Sequence, residues 1–195
     1  MGDYMYTKVE EAIRFMVKAN KGQKRRNENI DKSFHPMVIY SMLREFTTTE
    51  DVLIAALLHD AINDTEYGYE ELEEKFGSLV ADMVSELSED MGIAKWFDRK
   101  KDYIKRMKAN YDVNVINIML ADKLHNLISN YDSFLKHGDK LWKNTGGSKD
   151  ENRYMYREVY NIARRKNANE GLLKRYREIV TIYFGELEDD YEEEQ

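Results

Sequence analysis

The sequence contains no cysteine, which excludes a disulfide framework and any thiolate zinc site and suits a reducing, cytoplasmic setting. It has a single proline, Pro36, among 195 residues. With so little to interrupt them, helix-period patterns run along the whole chain and predict an all-α fold. No apolar run nears the roughly 20 residues of a membrane span. The N-terminus lacks a signal-peptide pattern, and no membrane partner is expected. A glycine-rich phosphate loop, an internal repeat and a low-complexity block are missing too. Positive charge is absent from residues 186–195, where seven Asp and Glu side chains account for the whole formal charge of −7. Residues 1–185 are therefore neutral, which gives no support to nucleic-acid binding. They are expected to form one domain, with 186–195 as a solvated, frayed tail.

What is present suffices for a packed core, since 42% of the residues are hydrophobic. The chain is organised around Leu53 to Thr65, LIAALLHDAINDT. The apolar run Val52 to Leu58 predicts a buried central helix. His59, Asp60, Asn63 and Asp64 follow it directly. Such ligand-type side chains are costly to bury unless something pairs with them. Read as one continuous helix, His59 shares a face with Asn63, and Asp60 with Asp64. The expected companion is a cation.

A second buried-looking helix, Val113 to Ile128, reads VNVINIMLADKLHNLI and puts Asp122 and Asn126 four apart on one face. A buried Asp is rare unless paired or ligating. His125, about 100° round the helix from Asn126, reads as a surface or packing residue, as does His137 before Gly138. Pro36 suits the first turn of a helix and sets His35 at a helix entrance, ahead of Met37 to Phe46. Alone, such a histidine reads as a cap or a packed side chain.

The remaining elements frame these two. A first helix starts near Thr7, with Glu10 at capping-box spacing. It ends in Lys18, Lys21, Lys24, Arg25 and Arg26, which either offset the helix dipole or form a phosphate-binding edge. Thr47 with Glu50 has capping-box spacing at the start of the central helix. Tyr69 to Phe76 is a short helix broken by Gly77, and Leu79 to Leu87 carries the next stripe. Residues 88–97 read as a loop. Arg99, Lys100, Lys101, Lys105, Arg106 and Lys108 on a polar helix, Asp98 to Asn110, read as a solvated face. Asp139 to Asp150 is the most loop-like stretch. Ser148 and Glu151 cap a helix through Asn167 that bears Tyr154, Tyr156 and Tyr160. The last helix covers Glu170 to Phe184.

His35, His59, Asp60 and Asp122 thus supply two imidazoles and two carboxylates from separate helices. A mixed nitrogen and oxygen set suits Mn2+, Fe2+ or Zn2+ better than Ca2+. The order of His-Pro, ALLHD, NDT and LADKLHNL resembles the HD-domain metal-dependent phosphohydrolases. More narrowly, it is similar to the hydrolase domain of the RelA/SpoT-type alarmone enzymes and to the small alarmone hydrolases. The similarity spans about residues 5–130, including GQKRR, and fades in the C-terminal third.

That resemblance implies a helical bundle with a metal site between its central helices. His35, His59, Asp60 and Asp122 would hold one Mn2+, with Fe2+ and Zn2+ suited to the same donors. Arg25 or Arg26 would contact the phosphate or base of a small-molecule nucleotide, and Asn126 its sugar. Tyr156, with Tyr154 as second choice, is a further substrate contact. The implied reaction removes the 3′-pyrophosphate from ppGpp or pppGpp, giving GDP or GTP and pyrophosphate. Nothing in these residues could form the second, sheet-containing domain of an alarmone synthetase, so hydrolysis without synthesis is expected. Assembly into a homo-oligomer is left open.

The family motif HDxxEDT has Glu where this chain has Asn63, followed by the matching Asp64. The Glu-Asp pair is expected to orient and help deprotonate the attacking water. Asn63 can hold a water but cannot accept a proton, so Asp64 is left as the assisting carboxylate. On the motif alone, Asn63→Glu is expected to raise the rate on ppGpp. The departure leaves two alternatives, the same chemistry on another nucleotide and a metal-bound nucleotide sensor with little turnover.

Overall fold

The computed structural model describes residues 6–26, 28–143 and 145–187. Among them it is helical throughout, with one isolated bridge between Lys24 and Asp31. The helices are α1 (Lys8–Ala19), α2 (Phe34–Arg44), α3 (Glu50–Leu58), α4 (Ala61–Asp64), α5 (Tyr69–Phe76), α6 (Ser78–Leu87), α7 (Trp96–Ala109), α8 (Val113–His137), α9 (Lys149–Arg165) and α10 (Glu170–Phe184). A 3₁₀ turn, Gly138–Lys143, follows α8.

The sequence signals explain most of the ends. Thr7 Oγ1 accepts the Glu10 N–H at 3.1 Å, which starts α1. Ser148 and Glu151 satisfy each other's backbone N–H groups at the start of α9. Gly77, at φ 90°, makes the tight corner between α5 and α6, and Gly138 at φ 59° stops α8. Thr47 does not cap the central helix as its spacing predicts. Its Oγ1 accepts the Thr49 N–H instead, and Thr49 is the capping residue of α3.

Every residue of α3 from Val52 to Leu58 is buried, as an apolar surface on all sides requires. It packs against α1, α2, α6 and α8. One hydrophobic cluster draws side chains from all ten helices. Truncating a fully buried residue there, such as Leu57 at 1% exposure, costs about 2–5 kcal/mol.

Three elements differ from the sequence reading. The stretch from Leu53 to Thr65 is not one helix. α3 ends at Leu58, and Asp60, at φ −96° and ψ 0°, turns the chain into the short α4. The face-sharing of His59 with Asn63 and of Asp60 with Asp64 is therefore replaced by a corner. α7 begins at Trp96 rather than Asp98. α8 runs on past Ile128 to His137, because Ser129 and Ser133 are small enough to bury and Tyr131 and Phe134 pack on the core. At the C-terminus, Leu187 is buried at 8% exposure. The acidic residues 188–195 of the expected tail lie outside the described residues.

Candidate functional site

The corner between α3 and α4 builds the site. Consecutive side chains on a helix diverge by about 100°, yet His59 Nε2 and Asp60 Oδ2 lie 3.2 Å apart. Ending α3 at Leu58 also releases the Ala56 carbonyl, which sits 2.9 Å from His59 Nδ1. A carbonyl only accepts, so Nδ1 carries a proton and Nε2 is the free ring position. From α2, His35 Nε2 reaches 3.0 Å from Asp122 Oδ1 on α8 and 3.9 Å from Asp60 Oδ2. His59 Nε2 is 3.8 Å from Asp122 Oδ1.

Two helices, α2 and α8, and the corner between α3 and α4 thus bring His35, His59, Asp60 and Asp122 to one point. Ligand atoms of His35, His59 and Asp60 all lie within 4.8 Å of one another. His59 Nε2 is buried and makes no hydrogen bond. A buried imidazole nitrogen whose polar neighbours are two carboxylates is a place that a divalent cation suits, and the donor set fits one. The residues fit a metal.

Electrostatics say the same. Burial disfavours the charged His59 ring, but Asp60 and Asp122 outweigh it and push the ring up to about 9. Burial likewise opposes ionisation of Asp122, which Lys123, His35 and His59 nevertheless hold well below the usual carboxylate range. The cluster is built for positive charge.

Around the cluster is a second ring of contacts. His125 stacks on His35, with centroids 4.9 Å apart, and its Nδ1 lies 2.6 Å from His35 Nδ1. Burial, with His35 and Arg25 nearby, pushes His125 down to about 4, so it stays neutral and can fix the His35 ring. This role escaped the sequence reading. The signal was there, because Asp122 and His125 are three apart and share a helix face. Asn126 Nδ2 donates to Asp122 Oδ1 at 2.6 Å, and Lys123 Nζ to Asp122 Oδ2 at 2.6 Å.

His35, Asp60, Asp122, Lys123 and Asn126 line a cleft of about 470 Å³ that also contains Arg25, Arg26, Asp64, Arg99, Lys100 and Tyr156. Arg25 is held at 12% side-chain exposure by Glu28 at 2.6 Å, and it also reaches Ser129 Oγ at 3.1 Å and Asn126 Oδ1 at 3.3 Å. It is a docked side chain, whereas Arg26 is exposed. Asp64 pairs with Lys32 at the cleft wall. Tyr156 is buried at 2% exposure, and its hydroxyl accepts from Asn130 Nδ2 at 3.0 Å. Burial raises that phenol to about 12, so it is neutral. Tyr154, the second choice, packs edge-on against Phe97 and does not line the cleft. At the rim, Trp96 lies flat on Gly146 and Gly147. A Cβ on either would come within 2.7 and 2.4 Å of the indole.

Two placements depart from the sequence reading. Arg99 and Lys100 do not belong to a solvated face. They line the cleft at 16% and 14% side-chain exposure, paired with Glu89. Asn63 turns its amide to the backbone of Glu89, with Nδ2 donating to the Glu89 carbonyl at 2.9 Å and Oδ1 accepting the Glu89 N–H at 2.7 Å.

Comparison with known proteins gives a family and a fold. The HD domain family model matches residues 12–138. A 98-residue stretch is 36% identical to the bifunctional (p)ppGpp synthase/hydrolase SpoT of Escherichia coli K12, covering 48% of this chain and 14% of that protein. A 120-residue stretch is 32% identical to a guanosine-3′,5′-bis(diphosphate) 3′-pyrophosphohydrolase of Aquifex aeolicus, covering 61% of this chain and 17% of that protein. The chain therefore spans less than a fifth of the length of these two relatives. A solved metazoan ortholog of SpoT, described as hydrolysing ppGpp, superposes with a TM-score of 0.77 at 25% identity, over 94% of this chain and 99% of that one. The crystal structure of lmo0812 from Listeria monocytogenes EGD-e superposes with a TM-score of 0.68 at 27% identity, over 77% and 98%.

Proposed function

The chain belongs to the HD domain family, and from that premise we propose that it is a divalent-cation-dependent phosphohydrolase that removes the 3′-pyrophosphate from (p)ppGpp. The observation that carries this reading is the buried Nε2 of His59, which faces the Asp60 and Asp122 carboxylates behind a cleft lined by those two carboxylates, His35 and several basic side chains. Relatives described as (p)ppGpp 3′-pyrophosphohydrolases and a structural neighbour described as hydrolysing ppGpp support the substrate.

His35, His59, Asp60 and Asp122 would hold one cation, with Mn2+ the expected ion and Fe2+ and Zn2+ suited to the same donors. When bound, such an ion supplies Lewis-acid polarisation and acidifies water. The rest falls to the chain's own side chains. Asp64, a cleft carboxylate outside the ligand set, assists removal of the proton from the attacking water. The water oxygen bonds to the 3′-phosphorus, the P–O3′ bond breaks, and O3′ takes up a proton, so GDP or GTP and pyrophosphate leave. Arg25, already docked on α8, presents its guanidinium to the nucleotide beside Asn126, and Arg26 adds charge at the mouth. Tyr156 offers a neutral hydroxyl and ring. Asn63 acts as a positioning group through Glu89 rather than as a proton acceptor.

Among the described residues no helix is long and apolar enough to cross a membrane. The deciding experiment is turnover of a nucleotide panel, ppGpp included, with Mn2+ and with EDTA. Release of pyrophosphate from ppGpp that requires Mn2+ is the expected result. Turnover of a different nucleotide alone would keep the chemistry and overturn the substrate. Binding without turnover of any would leave a nucleotide sensor.

A further inference from the structure

Three largely buried cations, Arg99, Lys100 and Lys123, line one cleft. Arg99 Nε lies 3.1 Å from Glu89 Oε2, and Lys100 Nζ bonds the other oxygen of the same carboxylate. Lys123 Nζ, at 12% side-chain exposure, is 2.6 Å from Asp122 Oδ2. Buried ammonium groups cost several kcal/mol each unless they are paired. Among the described residues the carboxylates that pair with them are Glu89 and Asp122, with Arg99 Nη1 also donating to the Ile93 carbonyl at 2.9 Å, and Asp122 belongs to the proposed ligand set. Once Asp122 serves a cation, Glu89 alone faces Arg99, Lys100 and Lys123. Two positive charges are then in surplus, which matches one dianionic phosphoryl group.

This group is separate from the Arg25 edge. Arg25 docks at Asn126 and Ser129, and the six residues from Lys123 to Ser129 span about 9 Å along α8. The Lys123 group adjoins the metal ligands through Asp122, whereas the Arg25 edge lies further along the helix.

We infer that Arg99, Lys100 and Lys123 form a subsite for the outer phosphoryl group of the departing pyrophosphate, and that Asn63 positions it by clamping Glu89. The inference rests on the phosphohydrolase reading above, because it places the scissile phosphoryl group at the His/Asp cluster. The neighbouring cations then receive the phosphoryl group one bridging oxygen away. The Asn63 amide holds both backbone polar groups of Glu89, so it fixes the carboxylate that orders Arg99 and Lys100. Burial and the Lys123 charge lower the Lys100 ammonium from its ordinary value, and Glu89 only partly offsets them. A diphosphoryl leaving group would reach these cations, and a monophosphoryl group seated only at the cluster would not.

The test is calorimetric binding of inorganic pyrophosphate and of orthophosphate to the full chain loaded with Mn2+, with metal content assayed after each titration. It needs no turnover. The wild type should prefer pyrophosphate by about tenfold or more, the worth of one charge-assisted contact. Lys100→Gln should erase most of that preference, and Lys100→Arg should keep it. Asn63→Ala should erase a similar share, and the double variant Asn63→Ala/Lys100→Gln should lose no more than either single one, as for groups acting as one unit. An unchanged preference in Lys100→Gln overturns the subsite, as does additive loss in the double variant overturn the role of Asn63. If Asn63→Ala does not fold, the two Lys100 variants decide the subsite and Asn63→Ser takes its place in the cycle. A clear preference for pyrophosphate in a protein that hydrolyses no nucleotide would leave the subsite standing and overturn the hydrolase reading.

Discussion

The side-chain amide of Asn63 and the backbone of Glu89 hold each other at both ends, at 2.9 and 2.7 Å. This contact ties the segment that follows the proposed metal ligands His59 and Asp60 to the loop ahead of α7. It also changes what the departure from the family motif means. A glutamate at position 63 would lose the donor to the Glu89 carbonyl and set a carboxylate against it.

Asn63→Glu should therefore lower the rate on ppGpp rather than raise it, although it restores the family carboxylate. Leaving a half-buried carbonyl unpaired costs about 1–3 kcal/mol, which for a chain of this size is a melting temperature about 2–12 °C lower. Thermal denaturation beside steady-state kinetics checks it. A faster enzyme with an unchanged melting temperature would show that the clamp is dispensable.

Removal of a ligand separates folding from metal binding. Asp122→Ala should leave a helical protein that gains little stability from added Mn2+, whereas the wild type should melt several degrees higher with metal in excess, since binding to the native state stabilises it. His59→Ala should behave alike, and both should lose turnover. Circular dichroism melts with Mn2+ and with EDTA give the comparison. An Asp122→Ala protein with full metal content and an unchanged Mn2+ shift would refute the ligand set.

The all-α fold was legible from its helical period, and His59, Asp60 and Asp122 stood out because each interrupts a helix pattern in a way that burial alone does not explain. Asp122 stands inside the apolar run of α8, and His59 and Asp60 close the run of α3. The break between α3 and α4 was not legible. LLHDAIND keeps a helical period, and the break shows only in the contacts His59 and Asp60 make with α2 and α8. Arg99 and Lys100 look like any charged helix face. Their burial depends on Glu89, brought in from the loop before α7, and a tertiary contact of that kind leaves no period in the sequence. His35 needed the family pattern beside it, because a lone histidine before a proline has several ordinary uses.

His125 should matter for metal affinity although it is not one of the proposed ligands. Its Nδ1 lies against His35 Nδ1, so a neutral His125 can accept the Nδ1 proton of His35 and leave Nε2 free for a cation. Partners of this kind are worth about 10–100-fold in metal affinity. His125→Ala should weaken Mn2+ binding by about that factor, and His125→Phe should as well while keeping the stack. Calorimetric titration with Mn2+ measures both. A His125→Phe protein that binds Mn2+ as the wild type does would reduce the contact to packing.

The metal-free protein should be most stable near pH 6.5, and Mn2+ should change that profile on the alkaline side. Burial opposes a charged His59, but Asp60 and Asp122 raise it from 6.5 to about 9. Its contribution is complete below pH 6.5 and is lost as the pH climbs through 9. His125 acts in the opposite sense. Burial, His35 and Arg25 lower it from 6.5 to about 4, so its contribution is present above pH 6.5 and is lost as the pH falls toward 4. Denaturant melts in EDTA between pH 4 and 9.5 should trace a dome. A cation needs the His59 Nε2 lone pair, so binding must expel the proton held there. Apparent Mn2+ affinity should accordingly rise from pH 6.5 to 9, with close to one proton released per ion at neutral pH. A Mn2+ affinity that is flat over this range would mean that His59 is already neutral in the metal-free protein, and the alkaline limb of the dome should then be missing too.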